Sequence, residues 1–323
     1  MAIPFVFSNL PVELVRDILE HAAISDRATA RNLTLVSSAV RHWTDPILYH
    51  TVVLSSARSL RAFVAALASK PASFVSTSVR NLGIFTPGPV QSIDRVLCAC
   101  AGVRSLACGF SLPTYQQTHG ARAIEALAAP REQHFLGAAC RDGWDASLVG
   151  RTVTHLRIHL ASFDASRPDC PFAFSTAPGA AEEVGWGRLA ALPALTHLAV
   201  VYRPSGETPP ATIVPHLARL VRPAVPSGGA QVTAGEAQGQ GQLPALGLVL
   251  VQVAGAKKDA SFAAEAVSAV NAAALAAGGA ALRIVAEHAP MSAARQWEDA
   301  VRGGRGVWEE AEGAVRARMS LAK

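Results

Sequence analysis

Apolar residues recur every three or four positions near the start of the chain. Leu10, Leu14, Ile18 and Ala22 fall four apart, Val15 and Leu19 widen the stripe, and Glu13, Arg16, Asp17 and Glu20 lie off it. This is the 3.6-residue period of an amphipathic helix. Pro11 sits at the first turn, where its missing N–H costs nothing. Ser25 and Asp26 then offer a fresh N-cap. Leu33, Val36, Val40 and Trp43 form a second stripe, on one helix or two short ones, and Asp45-Pro46 is expected to break it. Leu48 and Tyr49 lead into the β-branched run Thr51-Val52-Val53-Leu54, a strand by composition. A helical module of roughly fifty residues buries little surface alone. Its stripes need cover from the rest of the chain, from a partner, or from both.

Beyond residue 54 a different pattern repeats, apolar-x-x-Leu-x-apolar. It runs through Val79–Ile84, Val103–Cys108, Val153–Ile158, Leu195–Val200 and Ala245–Leu250, with a weaker last copy at Ala281–Val285. Helical stripes precede several copies, at Ser59–Ser69, Ser92–Ala99 and Ala211–Val221. Helix and strand in alternation predict a parallel sheet backed by helices. The shared leucines Leu82, Leu106, Leu156, Leu198 and Leu248 are separated by 24, 50, 42 and 50 residues. Only the first interval falls within the roughly 20–29 residues of a leucine-rich repeat. The longer ones hide a degenerate copy, with Glu125–Ala138 the candidate, or carry insertions, for which Asp164–Gly187, Arg203–Pro210 and Pro223–Pro244 are the candidates.

Composition narrows the classes. Half of the 323 residues are hydrophobic, only 16% are charged, and mean hydropathy is +0.25, so the chain has material for a core. Net charge is +5, but the arginines are scattered and no basic stripe interleaves with aromatics, which argues against nucleic acid as a partner. Leu243–Ala256 contains Gln252 and stops at Lys257, and Ala263–Leu282 is weakly hydrophobic and ends at Gly278-Gly279, so no membrane span is expected. Met1–Phe7 lacks a basic n-region and cleavage site. With it, the odd set Cys98, Cys100, Cys108, Cys140 and Cys170 reads as free thiols in a reducing compartment, cytoplasmic or nuclear.

The chain carries no nucleophile elbow and no phosphate loop. The glycines of Gly235–Gly241 have the wrong spacing for a dinucleotide site, and Arg302–Gly306 reads as a helix break. His155 and His159 share a face of a strand, but no third ligand is near in sequence, so no metal is expected. No cofactor and no catalytic residue are expected either. Trp297 and Trp308 read as buried anchors of a closing helical cap.

Leu-Pro-x-Glu-Leu-x-x-x-Ile-Leu over residues 10–19, then Leu33, Val36, Ser37 and Trp43, then Pro46-Ile47-Leu48-Tyr49, resembles the F-box. Ser37 stands where that family often has Cys. The resemblance covers residues 8–54, and residues 55–323 resemble the irregular leucine-rich-like regions that follow F-boxes in fungal proteins. It implies an α/β fold: an N-terminal helical F-box, then an irregular leucine-rich-repeat-like solenoid with long loops and a C-terminal helical cap. It implies a non-enzymatic substrate receptor of an SCF-type ubiquitin ligase. Leu10, Pro11, Leu14, Ile18, Leu33, Val36, Trp43 and Leu48 would meet the Skp adaptor, and through it a cullin. The solenoid would bind an unknown protein substrate, by its strand face or its long loops. The alternative is an interaction solenoid outside any ligase, with the N-terminal helices as its cap.

Overall fold

A computed structural model describes the chain apart from residues 1–9, 121, 126, 128–129, 138, 140–147, 161, 164–171, 174–191, 205–207, 219, 222–245, 256–259 and 322–323. The proposed insertions Asp164–Gly187 (except residues 172–173) and Pro223–Pro244 therefore lie outside the described residues. So do Gly235–Gly241, Cys140 and Cys170. Cys98 and Cys100 are free thiols.

Three helices come first: α1 (Val12–Ser25), α2 (Arg27–Leu33) and α3 (Ser38–His50). Asp26 caps α2, its carboxylate accepting from the Thr29 N–H at 2.7 Å, and Ser37 caps α3 by accepting from the Val40 N–H at 3.2 Å. The residue standing where the F-box family often has Cys thus has a local structural role here. The expected break at Asp45-Pro46 is not observed, since α3 runs through Pro46 to His50. Proline removes the bond to the His42 carbonyl, but His42 is exposed and water can reach it. The last turn is also held from outside. Asp45 pairs with Lys70, whose ammonium lies 5.5 Å from the Tyr49 ring and 5.2 Å from the Phe74 ring.

The next strand begins at the following residue. β1 (Thr51–Leu54), β2 (Asn81–Ile84), β3 (Ser105–Cys108), β4 (Glu132–Phe135), β5 (His155–His159), β8 (His197–Tyr202), β9 (Leu248–Val253) and β10 (Ile284–His288) form one parallel sheet in that order. Two short strands, β6 (Ser162–Phe163) and β7 (Phe172–Ala173), pair antiparallel apart from it. The fold is α/β.

The repeat copies line up in register. Leu82 pairs with Leu106, Leu106 with Gln133, Gln133 with Leu156, and Leu156 with Leu198. β4 is the degenerate copy in the long gap, and Gln133 occupies its leucine position. One copy shifts: Leu198 pairs with Val249, not Leu248. β9 is buried on both faces along its whole length, so its pattern carries no signal of which residue points where.

One face of the sheet is backed by the connecting helices: α4 (Ala57–Ser69), α5 (Ala72–Ser78), α6 (Val90–Ala99), α7 (Leu112–His119), α8 (Arg122–Glu125), α9 (Ile213–Ala218) and α10 (Ala260–Ala277). Ser56 and Ser59 close a capping box at the start of α4. Leu60, Val75, Leu97, Tyr115, Leu217 and Val270 pack with Leu82, Leu106, Phe135, Leu156, Leu198 and Val249 in one apolar core. The last two helices, α11 (Ala293–Val301) and α12 (Val307–Leu321), lie across the opposite face. Val307, Trp308, Ala311 and Val315 pack on Ala199, Leu248, Leu250 and Val285. Trp297 is buried over β2 and β3, where a Cβ on Gly83 would fall 2.5 Å from its Cζ3. The two tryptophans are indeed anchors, but of helices laid over the face of the sheet and not beyond its end.

Candidate functional site

The eight N-terminal positions singled out by the sequence divide in two. Leu14, Ile18 and Val36 are 49–67% exposed. Pro11 is exposed as well, while Leu10, Leu33, Trp43 and Leu48 are half-buried. The cause lies in α1. Its inner side is formed by Val15, Leu19, Ala22 and Ala23, of which Ala23 is buried and the others half-buried. Leu14 and Ile18 lie one helical row away. The apolar arc of α1 is wider than the module can cover, and its outer edge is left facing away.

Sequence spacing missed three members of this surface. Val12, Ile24 and Leu35 are 58–77% exposed. None falls on a helical stripe with the others, so periodicity had no means of collecting them. Together the six place large apolar side chains outside the core within 25 residues of chain, a concentration beyond scattered surface leucines. The module is anchored elsewhere, through α3. Tyr49 packs edge-on to Phe74 at 5.3 Å and lies 6.2 Å from Phe63, tying α3 to α5 and α4.

A cavity of about 610 Å³ opens between the module and the end of α11. Ala23, Ile24, Ala30 and Leu48 line it, with Arg27 and Arg302. The Arg27 guanidinium is lowered from its usual range by burial, then by the like charges of Arg302 and Arg31.

The second polar feature lies between the sheet and the C-terminal helices. Glu132 accepts from Ser105 Oγ at 2.9 Å and from Trp308 Nε1 at 2.6 Å, and its Oε1 is 2.7 Å from His134 Nε2. Ser105 Oγ in turn accepts from Trp297 Nε1 at 2.9 Å. Burial raises the Glu132 carboxyl, but His134 and the hydrogen bonds from His134, Trp308 and Ser105 outweigh it and hold it at about 2. Arg157 is 1% exposed, and Nη1 donates to Gln296 Oε1 at 2.9 Å.

His155 and His197 are register partners on β5 and β8, and their rings stack at 4.1 Å and 10°. Trp308 meets both edge-on, at 5.1 and 5.9 Å. Glu312 of α12 reaches His197 Nε2 at 3.2 Å. Burial pushes His155 down to about 4, helped by His197, and burial lowers His197 too, so both rings are neutral near pH 7. His159, the sequence partner of His155, is not part of this cluster. The actual partners lie 42 and 157 residues along the chain, beyond any local spacing rule.

Compared with known proteins, the chain matches no protein-family model and no curated sequence. Among the described residues, no helix is long and apolar enough to cross a membrane.

Proposed function

We propose that the chain is a substrate-receptor subunit of an SCF-type ubiquitin ligase, with α1 to α3 as an F-box docked on the Skp adaptor. The observation that supports this most is the uncovered apolar edge of the module, Leu14, Ile18 and Val36 with Val12, Ile24 and Leu35. Three of these six are positions at which the F-box resemblance assigns adaptor contact. An amphipathic helix laying its apolar side into a partner's groove is a common recognition mode.

The repeat half then carries a second partner, an unknown protein substrate. Strands β2 to β5 and β8 to β10 are covered on their second face by α11 and α12, so the strand face is not offered to it. That leaves the loops at the strand ends and the outer sides of the helices. The receptor acts by proximity: it holds a substrate lysine near a ubiquitin-charged enzyme, and the bond-making belongs to other subunits.

The alternative is a non-ligase interaction protein whose N-terminal helices only seal the array. The Asp45–Lys70 pair and the Tyr49 cluster support a sealing role for α3. They give none to the outer edge of α1. Co-expression with a Skp adaptor tests the choice. The adaptor co-purifies with the wild-type chain, and Leu10→Ala with Pro11→Ala abolishes recovery. Failure of the wild-type chain to retain the adaptor would return the module to the sealing role.

A further inference from the structure

The stacked histidines carry a consequence that does not depend on what α1 binds. Thr154 Oγ1 lies 3.1 Å from the Arg131 carbonyl, to which it can donate, and 2.8 Å from His155 Nδ1. One strand over, the arrangement repeats. Thr196 Oγ1 lies 3.1 Å from the Thr154 carbonyl and 2.8 Å from His197 Nδ1. In the tautomer with the ring hydrogen on Nδ1, each threonine accepts it and Nε2 is left as a lone pair that can bind a cation. This is the outer hydrogen bond that fixes the tautomer of a metal-binding histidine.

In that tautomer the lone pair of His197 Nε2 lies 3.2 Å from a Glu312 carboxylate oxygen, a pair of acceptors that a cation would bridge. A single proton would satisfy His197 and Glu312 but leave the His155 lone pair unmatched. One ring nitrogen from each histidine and one Glu312 oxygen all lie within 4.8 Å of one another. All three residues are half-buried, so an ion can enter.

We propose that His155, His197 and Glu312 form a site for a divalent cation of the zinc class, which fastens α12 to β5 and β8. Two imidazoles and a carboxylate are a borderline N/O donor set that suits zinc and leaves a fourth position for water. The rings stack nearly parallel, so the ion draws the lone pairs together by turning a ring, and His197, 18% exposed, is free enough to turn.

The test is titration of the metal-stripped full chain with Zn²⁺ by calorimetry, and with Co²⁺ followed by its visible absorption. One ion binds per chain, and Co²⁺ quenches the fluorescence of the adjacent Trp308. His155→Ala and His197→Ala each weaken binding by about 100-fold or more, and Thr196→Val, which keeps every ligand atom, by about 10–100-fold. Should an alanine variant fail to fold by circular dichroism, Thr196→Val decides. Absence of Zn²⁺ binding by the wild-type chain, or binding that Thr196→Val and His197→Ala leave unchanged, would overturn the site and leave a packing stack.

Discussion

Replacing Arg157 by methionine is expected to stabilise the protein. The guanidinium sits in the middle of β5, between the sheet and α11, and is 1% exposed. Nη1 has an acceptor, Gln296 Oε1 at 2.9 Å, whereas Nε and Nη2 are buried with none among the described residues. Burial pulls its pKa down to about 10, against the pull of Glu287 and Glu132. The one charged hydrogen bond contributes about 1.5–3 kcal/mol, and each unmet buried donor costs about 1–3 kcal/mol. Methionine has similar reach, removes both unmet donors, and leaves a half-buried Gln296 that water can satisfy. At the middle of these ranges the two unmet donors outweigh the one bond by about 2 kcal/mol, inside the gain of about 1–4 kcal/mol seen when buried charges give way to apolar side chains. Gln296→Ala acts in the opposite sense, costing about 1.5–3 kcal/mol, because the charge loses its acceptor. Urea titration of the full chain reads both, as shifts in midpoint at unchanged slope. A loss above about 1 kcal/mol in Arg157→Met would refute the reasoning, since it would mean the guanidinium is well satisfied where it lies.

Other outcomes follow from neighbouring features. Gly83→Ala places a methyl 2.5 Å from Trp297 Cζ3, and thermal melting should show a loss of about 1–3 kcal/mol as α11 is pushed off the sheet. Pro46→Ala restores an N–H for the His42 carbonyl inside α3, so the midpoint in urea should rise by the equivalent of about 1 kcal/mol. His159 is held down at about 4 by burial and then by Arg157, below its unfolded value of 6.5. The unfolded chain therefore takes up a proton first, and stability falls as pH drops from 6.5 through 4, by at most about 1.4 kcal/mol per pH unit. His159→Phe should flatten that part of the stability-against-pH curve, and an unchanged slope would place the acid sensitivity elsewhere.

The sheet was legible in the sequence because most of its strands repeat an aliphatic residue on the helix-backed face. Leu82, Leu106, Leu156 and Leu198 are register partners along a chain of neighbouring strands, joined across β4 by Gln133. β4 is nearly invisible because its inward positions are Glu132, Gln133 and His134, which look like surface until Ser105 and Trp308 reach Glu132, Glu132 reaches His134, and the Leu148 carbonyl and Gly150 N–H reach Gln133. The leucine pattern places Leu248 one residue out of register with Leu198, because a strand buried on both faces has no alternation to read. Pro46 reads as a break in the sequence because local propensity does not know of Lys70, which holds the turn after it. The docking surface was half legible. Leu14 and Ile18 follow helical period and Leu35 does not. The histidine cluster was beyond reach, because its members meet only once β8 lies beside β5 and α12 folds back over both.

Direct measurement of affinity between the purified full chain and a purified Skp adaptor bears most closely on the central claim. The comparison is between the wild-type chain and Leu14→Asp with Ile18→Asp, two exposed positions whose change leaves the core of the module in place. Tight binding by the wild type, lost by at least about 100-fold in a variant with an unchanged circular dichroism spectrum, is the expected result. Equal affinity in the two chains, or no binding in either, would contradict it.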